Sequence, residues 1–323
     1  MRSIKDQVWP ADSVPVVTIS CTTYNQERYI EKCIEGFLKQ ETDFPVEILI
    51  HDDASTDNTP AIIRKYQSRY PKLINVILQE ENQFSRGEMV NSFNFKKARG
   101  KYIALCHGDD YWTDREKLQK QVNVMESYGV AISGHPAREI DVEDNDRHCL
   151  SGFKVKSISF FDSKALIKND GNMLPFGSIM ITDEAKELML KNMPPVMFHS
   201  GIQLLAASKN GLVILPDAMM AYRVAVPGST TEIMLGDNDR RLGTSFKRVK
   251  SIKTLKRIYS DNEQFELNRL LAKQIKSSVI LKSKASIFRL LAYMMRGETF
   301  KTKFIVFAFC LFYFTKATVR SFR

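Results

Sequence analysis

Long apolar runs, paired cysteines and glycine-rich phosphate loops are all missing from this sequence of 323 residues. The longest apolar run, 304–314, is about half of the roughly 20 residues that a helix needs to cross a bilayer. The five cysteines form no CxxC pair, which argues against a zinc site and favours a reducing compartment. No GxG or GxxxxGK motif occurs, so P-loop and dinucleotide-binding fingerprints are excluded. No apolar signal segment follows Met1, and we therefore expect a cytoplasmic protein.

Positive charge is concentrated in the last quarter of the chain. The formal net charge is +10, and the segment 241–323 alone holds 19 Lys or Arg residues against 4 Asp or Glu. Such a segment favours an anionic partner, either nucleic acid or a lipid surface, although solvated helix faces also explain it. Hydrophobic residues make up 44% of the chain, which is enough for a sizeable core in one large domain or two.

Strand-like and helix-like segments alternate through the first half. Apolar, β-branched segments at 14–23, 46–50, 74–78 and 102–106 predict strands, and the periodic segments between them predict helices. Short strands joined by helices indicate right-handed crossovers and a mainly parallel sheet. Ligands of such sheets bind beyond the carboxyl ends of the strands. The second half is less regular, but 176–182 is expected to return to the sheet.

Two acidic clusters follow the predicted strands at this edge. Asp52 and Asp53 come after the second strand, and Asp109 and Asp110 come after the fourth. Adjacent carboxylates beyond a buried strand repel each other unless a cation binds, and hard oxygen ligands suit Mg²⁺ or Mn²⁺. Asp-rich turns also arise because Asp caps helices and bends loops, so each cluster alone fits either interpretation.

Three motifs together resemble family 2 glycosyltransferases, the bacterial GT-A enzymes of envelope polysaccharide synthesis. They are TTYN at 22–25, HDDASTD at 51–57, and the segment 98–112, which runs from ARGKYI to GDDYW. The resemblance implies an α/β GT-A fold, with a Rossmann-like, mostly parallel sheet and flanking helices. A basic helical C-terminal extension would follow this fold.

The resemblance also assigns donor-binding roles to individual residues. Those residues are Thr22, Tyr24, Asp52, Asp53, Arg86 and Asp109. Thr22 and Tyr24 match positions that line the nucleobase pocket, and Asp53 matches the carboxylate that reads the base, usually uracil. Arg86 matches an arginine near the donor phosphates, although an ordinary loop arginine would fit its context too.

The chemistry that the resemblance implies is inverting transfer of a sugar from a nucleotide-diphosphate donor, with UDP-sugars favoured. The acceptor would be a hydroxyl of a glycan or of a lipid-linked glycan. Asp109 is predicted to face the ribose or sugar and to serve catalysis, and Asp110 is predicted to ligate Mn²⁺ or Mg²⁺. The cation and Arg86 would neutralise charge on the leaving diphosphate, while a general base takes the acceptor proton.

The second half departs from the family pattern where the general base is expected. The family carries a carboxylate eleven residues before a helix-ending glycine, and counting back from Gly211 reaches Ser200. His199 is the nearest titratable group, and we predict it as the substitute base, with a structural histidine as the competing interpretation. Ala225 stands where the family's Tyr-Arg-x-His element has its histidine.

Three other functions compete with an active glycosyltransferase. The residues at Ser200 and Ala225 fit a catalytically degenerate protein that binds the donor or acts as a scaffold. A nucleotidyltransferase shares the sheet and the carboxylates but usually has a glycine-rich first loop, which is absent here. A nucleic-acid binder would explain the basic tail, yet no zinc finger or aromatic RNA-binding motif occurs, so we expect no nucleic-acid partner.

We predict two regions along the chain. A GT-A domain occupies 1–236, with a donor half at about 14–133 and an acceptor half at about 134–236. A basic helical region, 237–323, ends in an apolar tail that we expect to attach peripherally to the cytoplasmic face of the membrane through anionic lipids. The competing interpretation is that the run 304–314 packs on the domain as ordinary core.

Overall fold

The computed structural model describes residues 1–10, 12–192, 199–226, 238–279, 284–300, 302–308 and 310. These residues form a mixed α/β fold with a large, mostly parallel sheet and flanking helices, as the sequence predicted. The strands are β1 (Arg2–Ser3), β2 (Val17–Thr23), β3 (Glu41–Thr42), β4 (Val46–Asp52), β5 (Ile74–Leu78), β6 (Tyr102–His107), β7 (Tyr111–Trp112), β8 (Ile132–Gly134), β9 (Ala137–Ile140), β10 (Asp146–Ser151), β11 (Ser159–Phe161), β12 (Met180–Thr182), β13 (Leu212–Ile214) and β14 (Met220–Arg223). The helices are α1 (Ile30–Leu38), α2 (Thr59–Arg69), α3 (Asn91–Lys97), α4 (Lys117–Tyr128), α5 (Ser163–Lys168), α6 (Asp183–Asn192), α7 (His199–Ala206), α8 (Asn238–Lys256), α9 (Asp261–Val279) and α10 (Lys284–Met295).

The main sheet has eight strands in the order β11-β13-β8-β12-β6-β2-β4-β5. β2 pairs in parallel with β4 and β6, and β4 pairs in parallel with β5. The predicted return of 176–182 to the sheet is confirmed by β12, which is antiparallel to both of its neighbours. The four predicted strands of the first half therefore lie side by side and point the same way.

The ARG element at 98–100 has a structural explanation. Nε and Nη2 of Arg99 both donate to Oε2 of the buried Glu47, at 2.9 and 2.7 Å. A Cβ on Gly100 would lie only 2.5 Å from the backbone nitrogen of Thr18. The motif thus ties the segment that enters β6 to its neighbour β2 and, through Glu47, to β4.

A second, four-stranded sheet runs in the order β10-β9-β14-β7. β14 is parallel to β9 and antiparallel to β7, whose two residues directly follow the Asp109-Asp110 pair. The ring of Trp112 in β7 packs edge-on against Phe37 of α1, and its indole nitrogen donates to the Gly177 carbonyl at 2.9 Å. These contacts fix the acidic loop between two sheets.

The described C-terminal helices share a core with the main sheet. Buried Leu255 in α8, Leu271 in α9 and Leu290 in α10 belong to the same hydrophobic cluster as Leu105 of β6. The predicted boundary between regions, at 236, lies outside the described residues. No helix in the described part of the chain is both long enough and apolar enough to cross a membrane.

Lys117 is fully buried at the start of α4. Its ammonium nitrogen lies 2.7 Å from Oε1 of Gln121 and 4.0 Å from the centroid of the Trp112 ring. Burial lowers the pKa of Lys117 to about 7, although the Cys106 thiol and the Asp114 carboxylate partly oppose that shift. The unfolded chain therefore holds a proton, between about pH 7 and 10, that the folded protein releases.

Stability should consequently rise with pH across that interval. Because the unfolded state binds more protons there, the free energy of unfolding increases by up to about 1.4 kcal/mol per pH unit from this group. We expect Lys117→Met to remove that slope in urea titrations from pH 7 to 9. Lys120→Met is the matched control, since Lys120 lies one turn away, partly exposed and paired with Asp114 at 2.7 Å. Equal slopes for wild type and Lys117→Met would contradict the assignment.

Candidate donor-binding site

The carboxyl ends of β2, β4 and β6 meet at one edge of the main sheet. Thr23 lies opposite Asp52 in the paired strands, and Thr22 lies opposite His107. The amide of Asp53 donates to the Thr23 carbonyl at 3.0 Å. The two acidic clusters therefore leave the sheet at neighbouring positions, as the alternation of strands and helices predicted.

The loops after β2 and β4 are linked by hydrogen bonds. Oδ1 of Asn25 accepts from the Thr56 amide at 2.8 Å, and the Asn25 amide donates to Oγ of Ser55 at the same distance. Asn25 and Ala54 both have left-handed backbones, with φ of 51° and 62°. Alanine adopts that conformation only at a cost on the order of 1–3 kcal/mol, and such strain is concentrated at functional sites.

Gly108 brings the third loop against the first. Its amide donates to the Thr22 carbonyl at 3.0 Å. A Cβ at this position would lie 2.6 Å from Oε1 of Gln26 and 2.7 Å from Oγ1 of Thr23. A larger residue would have to displace these side chains, so the contact favours glycine before the two carboxylates.

Asp52 and Asp53 are both buried, and each shapes a loop. The carboxylate of Asp52 accepts from the amide and the hydroxyl of Ser55, at 3.0 and 2.5 Å, and burial raises its pKa. The carboxylate of Asp53 accepts from the amides of Gln83 at 2.7 Å and Phe84 at 3.0 Å. Asp53 thus fastens the loop after β5 to the sheet edge. Its predicted role as reader of the base stays a prediction.

The remaining predicted donor residues differ in exposure. Thr22 is buried at the end of β2, whereas Tyr24, in the loop directly after β2, is 46% exposed. Arg86 lies in the loop that Asp53 fastens, and its side chain forms an ion pair with Glu81. Both of those side chains are more than half exposed, so the guanidinium is available to a phosphate at small cost.

Asp109 and Asp110 have unfavourable surroundings for two negative charges. Asp110 is 2% exposed, and burial together with the neighbouring Asp109 holds its pKa well above the ordinary value. Burial also raises the pKa of Asp109, against the opposing effects of Arg223 and Gln26. A bound cation would relieve this repulsion.

Arg223, at the end of β14, joins the acidic loop to the rest of the site. Its amide donates to Oδ1 of Asp110 at 2.9 Å, and its Nε donates to the Asp109 carbonyl at 3.0 Å. Its two terminal nitrogens reach the Asp141 carbonyl at 2.9 Å and Oδ1 of Asp144 at 2.6 Å. The guanidinium also lies 4.4 Å from the ring centroid of Tyr29, and the side chain is 2% exposed. All of its donors are therefore directed at loops that frame the site.

Side chains from α1 and β14 hold the turn between β9 and β10 near the carboxyl edge of the main sheet. Asp144 pairs with Lys32 of α1 at 3.0 Å as well as with Arg223. Partial burial opposes ionisation of Asp144, but hydrogen bonds from Lys32 and Arg223 still hold its pKa below the ordinary value. Lys32 in turn lies 4.1 Å from the ring centroid of Tyr111. This turn belongs to the region in which the sequence placed acceptor specificity.

His199 begins α7 and lies near the row formed by His107 and Phe176. Phe176 stacks on His107 at 3.9 Å and meets His199 edge-on at 5.8 Å. Nε2 of His199 is 3.1 Å from the amide nitrogen of Gln203, which donates to it. Burial lowers the pKa of His199 to about 4, and electrostatic repulsion from His107 makes a smaller contribution to this shift. The imidazole is therefore neutral at physiological pH but only weakly basic, and its role as general base stays a prediction.

The residues at the edge fit a divalent cation that is shared with a substrate. No group of three or more His, Cys, Asp or Glu side chains in the described residues is arranged to enclose an ion. One oxygen of Asp110 is engaged by the Arg223 amide, which leaves the other free to ligate. Mg²⁺ and similar ions are commonly held by one or two carboxylates together with substrate phosphates, so this donor set is sufficient.

Two residues that frame the site were not singled out from the sequence. Arg223 stands two residues before the position of the expected histidine and matches the arginine of the Tyr-Arg-x-His element, and that match was the available signal. Asp144 lies in a polar turn with nothing to distinguish it from other acidic turns. At the expected histidine itself, Ala225 adopts a left-handed backbone with φ of 58°.

Several curated proteins match part of this chain. An uncharacterised protein of Mycobacterium tuberculosis is 46% identical over 129 residues, which are 38% of this chain and 36% of that protein. The putative teichuronic acid biosynthesis glycosyltransferase TuaG of Bacillus subtilis is 33% identical over 37% of this chain and 45% of its own length. The UDP-Glc:alpha-D-GlcNAc-diphosphoundecaprenol beta-1,3-glucosyltransferase WfaP of Escherichia coli is 34% identical over 36% of this chain and 44% of its own. The chain thus spans less than half the length of these relatives.

Solved structures match the whole fold at low identity. TarS 1-349 from Staphylococcus aureus, in complex with UDP-GlcNAc, superposes with a TM-score of 0.66 at 15% identity, over 93% of this chain and 90% of that chain. The mannosyltransferase PcManGT from Pyrobaculum calidifontis, in complex with GDP-Man and Mn²⁺, has a TM-score of 0.52 at 17% identity, over 98% and 89% of the chains. These likenesses support the GT-A fold.

The family assignment rests on a match that includes every motif at the sheet edge. The model described as Glycosyl transferase family 2 matches residues 18–185, which is more than half of the chain. That range contains the strands β2, β4 and β6 and the three loops that meet beyond them. The chain belongs to glycosyl transferase family 2.

Proposed function

We propose that this protein is an inverting, metal-dependent glycosyltransferase that moves a sugar from a UDP-sugar to a hydroxyl of a glycan or lipid-linked acceptor in cell-envelope polysaccharide synthesis. The observation that carries the proposal is the meeting of Asp53, Asp109 and Asp110 at one sheet edge, where Arg223 fixes the acidic loop. The names of TuaG and WfaP support the polysaccharide context, and WfaP and the TarS complex support a UDP-linked donor.

Each residue of the site would contact a different part of the substrates. The exposed ring of Tyr24 offers a packing surface for the nucleobase. Arg86 supplies a mobile positive charge to the phosphates, and Asp109 faces the sugar. Asp110 would hold Mn²⁺ or Mg²⁺, which when bound would stabilise negative charge on the leaving diphosphate. The turn that carries Asp144 closes the acceptor side.

The proton of the acceptor hydroxyl needs a separate base. His199 is the candidate from the sequence, and its neutral state fits that task, while its lowered pKa makes it a weak base. The position where the family has a carboxylate is occupied by Ser200, the second residue of α7. This observation also favours a second candidate function, a donor-binding protein without transfer activity. Release of UDP that depends on an added acceptor would distinguish the enzyme from the binding protein.

Base selectivity gives a direct test of the donor. We expect Asp53→Ala to weaken UDP binding by roughly ten- to a hundredfold, because a lost buried hydrogen-bonding group costs about 1–3 kcal/mol. Part of this loss would come from release of the loop at Gln83 and Phe84. Isothermal titration with UDP, GDP and CDP in the presence of Mn²⁺ measures both effects. Equal affinity of the wild type for the three nucleotides would refute the uracil assignment.

We further propose that the protein acts at the cytoplasmic face of the membrane, held there peripherally by its C-terminal region. The support is the excess of Lys and Arg after residue 241 and the apolar tail, together with the lipid-linked acceptor named for WfaP. Anionic lipid attracts such a segment by about 1 kcal/mol for each Lys or Arg near the surface.

A further inference from the structure

Three phenylalanines form an exposed stripe near the C-terminus. Phe300, Phe304 and Phe307 are 86%, 68% and 52% exposed. The backbone is helical at 300 and over 302–308, and the spacing i, i+4, i+7 places the three rings on one face. We call this face the phenylalanine stripe. Single exposed apolar residues are ordinary, but a continuous aromatic stripe on one helix face marks an interaction surface.

A different side of the same segment belongs to the protein core. Val306 is fully buried and Cys310 is 5% exposed, and both lie in the hydrophobic cluster that includes the main sheet. Sγ of Cys310 lies 4.0 Å from the Ala272 carbonyl of α9. The segment is therefore anchored along one side, while the phenylalanine stripe stays exposed to a partner.

The positive charge around the phenylalanine stripe favours an anionic partner. Lys303 lies exposed beside it, Arg289 is exposed on α10, and Arg296 is exposed directly after that helix. The sequence 284–310 contains one acidic residue, Glu298, and its carboxylate pairs with Lys256 at 2.6 Å. A second copy of the chain on this face would bring like charges together, because a two-fold contact places the same surface on both sides. An anionic bilayer instead matches both the rings and the cations.

We propose that the phenylalanine stripe docks on an anionic lipid surface, with its rings in the interface and Lys303 at the headgroups. The proposal gives the membrane attachment proposed above a defined surface, and it rests on that attachment rather than on the transfer chemistry. Because Val306 and Cys310 remain in the core, the segment lies along the membrane and does not cross it. Aromatic rings are well suited to that depth.

The test compares vesicle binding by four full-length proteins: the wild type, the triple variant Phe300→Ser/Phe304→Ser/Phe307→Ser, Lys303→Glu and Phe160→Ser. Phe160 is 50% exposed on β11, far from the stripe in sequence, and serves as the matched control. Vesicles of phosphatidylcholine alone are compared with vesicles that also contain phosphatidylglycerol. UDP binding is measured on each protein in parallel, so that a damaged fold or a wrong donor is seen separately from lost membrane binding.

We expect the wild type and Phe160→Ser to bind the phosphatidylglycerol vesicles, and the triple variant to bind about a hundredfold more weakly. Lys303→Glu should weaken binding less, and high salt should remove that difference. All four proteins should bind UDP equally. Undiminished vesicle binding by the triple variant would overturn the proposal. So would a wild type that ignores vesicles but forms a dimer that the triple variant loses, since the stripe would then be a contact between copies.

Discussion

Asp110→Asn should reduce kcat/KM by at least about a thousandfold while leaving the fold intact, because it removes the predicted ligand of the cation that stabilises the leaving group. The side-chain oxygen of asparagine still accepts from the Arg223 amide, which now bonds Oδ1 of Asp110 at 2.9 Å. Burial raises the pKa of Asp110, so its ionised carboxylate lowers the stability of the folded protein. The variant with a neutral asparagine should therefore unfold at an equal or higher temperature. Loss of activity without loss of stability would show that Asp110 serves the reaction and does not stabilise the fold.

The measurement combines steady-state kinetics, UDP titration with and without Mn²⁺, and thermal unfolding. Asp146→Asn is the control, since Asp146 lies on β10 of the neighbouring sheet and pairs loosely with Arg138 at 3.6 Å. Wild type in excess EDTA should behave like Asp110→Asn. Donor affinity that is unchanged by EDTA would remove the basis for metal dependence altogether.

The first half of the fold was predictable because local pattern and topology agree there. Each apolar strand is followed by a turn and a periodic helix, and a parallel sheet leaves one arrangement for the loops that carry Asp53 and Asp110. Although the sequence has no GxG motif, the loops at this sheet edge are held together by the close approach of Gly108 and by the hydrogen bonds of Asn25. Sequence reasoning therefore located the edge, although it did not foresee that Asp53 also fastens the loop after β5.

The acceptor side was less predictable because long-range contacts determine it. Arg223 and Asp144 are 79 residues apart in the chain, and no local pattern indicates that they meet. The tail shows the same limit. Periodicity alone left open whether the run 304–314 binds lipid or packs as core, whereas buried Val306 and exposed Phe304 show that one side of the segment packs in the core and another side is exposed. Residues 309 and 311–314 of that run lie outside the described residues.

Arg223→Met should destabilise the protein by on the order of 3 kcal/mol and reduce kcat/KM by about a hundredfold. The side chain is 2% exposed and donates to the carbonyls of Asp109 and Asp141, so its removal leaves partly buried acceptors without this partner. The activity loss follows from the same contacts, because they fix the loop that carries Asp110. Urea unfolding and steady-state kinetics measure the two effects independently.

Arg28→Met is the matched control for that change. Arg28 reaches the same turn, at Glu143 and 3.0 Å, but its side chain is 61% exposed, so we expect no measurable change in stability or activity. Arg223→Lys should fall between Arg223→Met and wild type, since a lysine keeps the charge but lacks the planar fork that reaches two loops at once. A double-mutant cycle with Asp144→Asn isolates the ion pair at 2.6 Å from the carbonyl contacts. If Arg223→Met unfolds at the same urea concentration as Arg28→Met, the guanidinium does not hold the site together, and the acidic loop must be positioned by β7 and by the contact of Gly108 with Thr22.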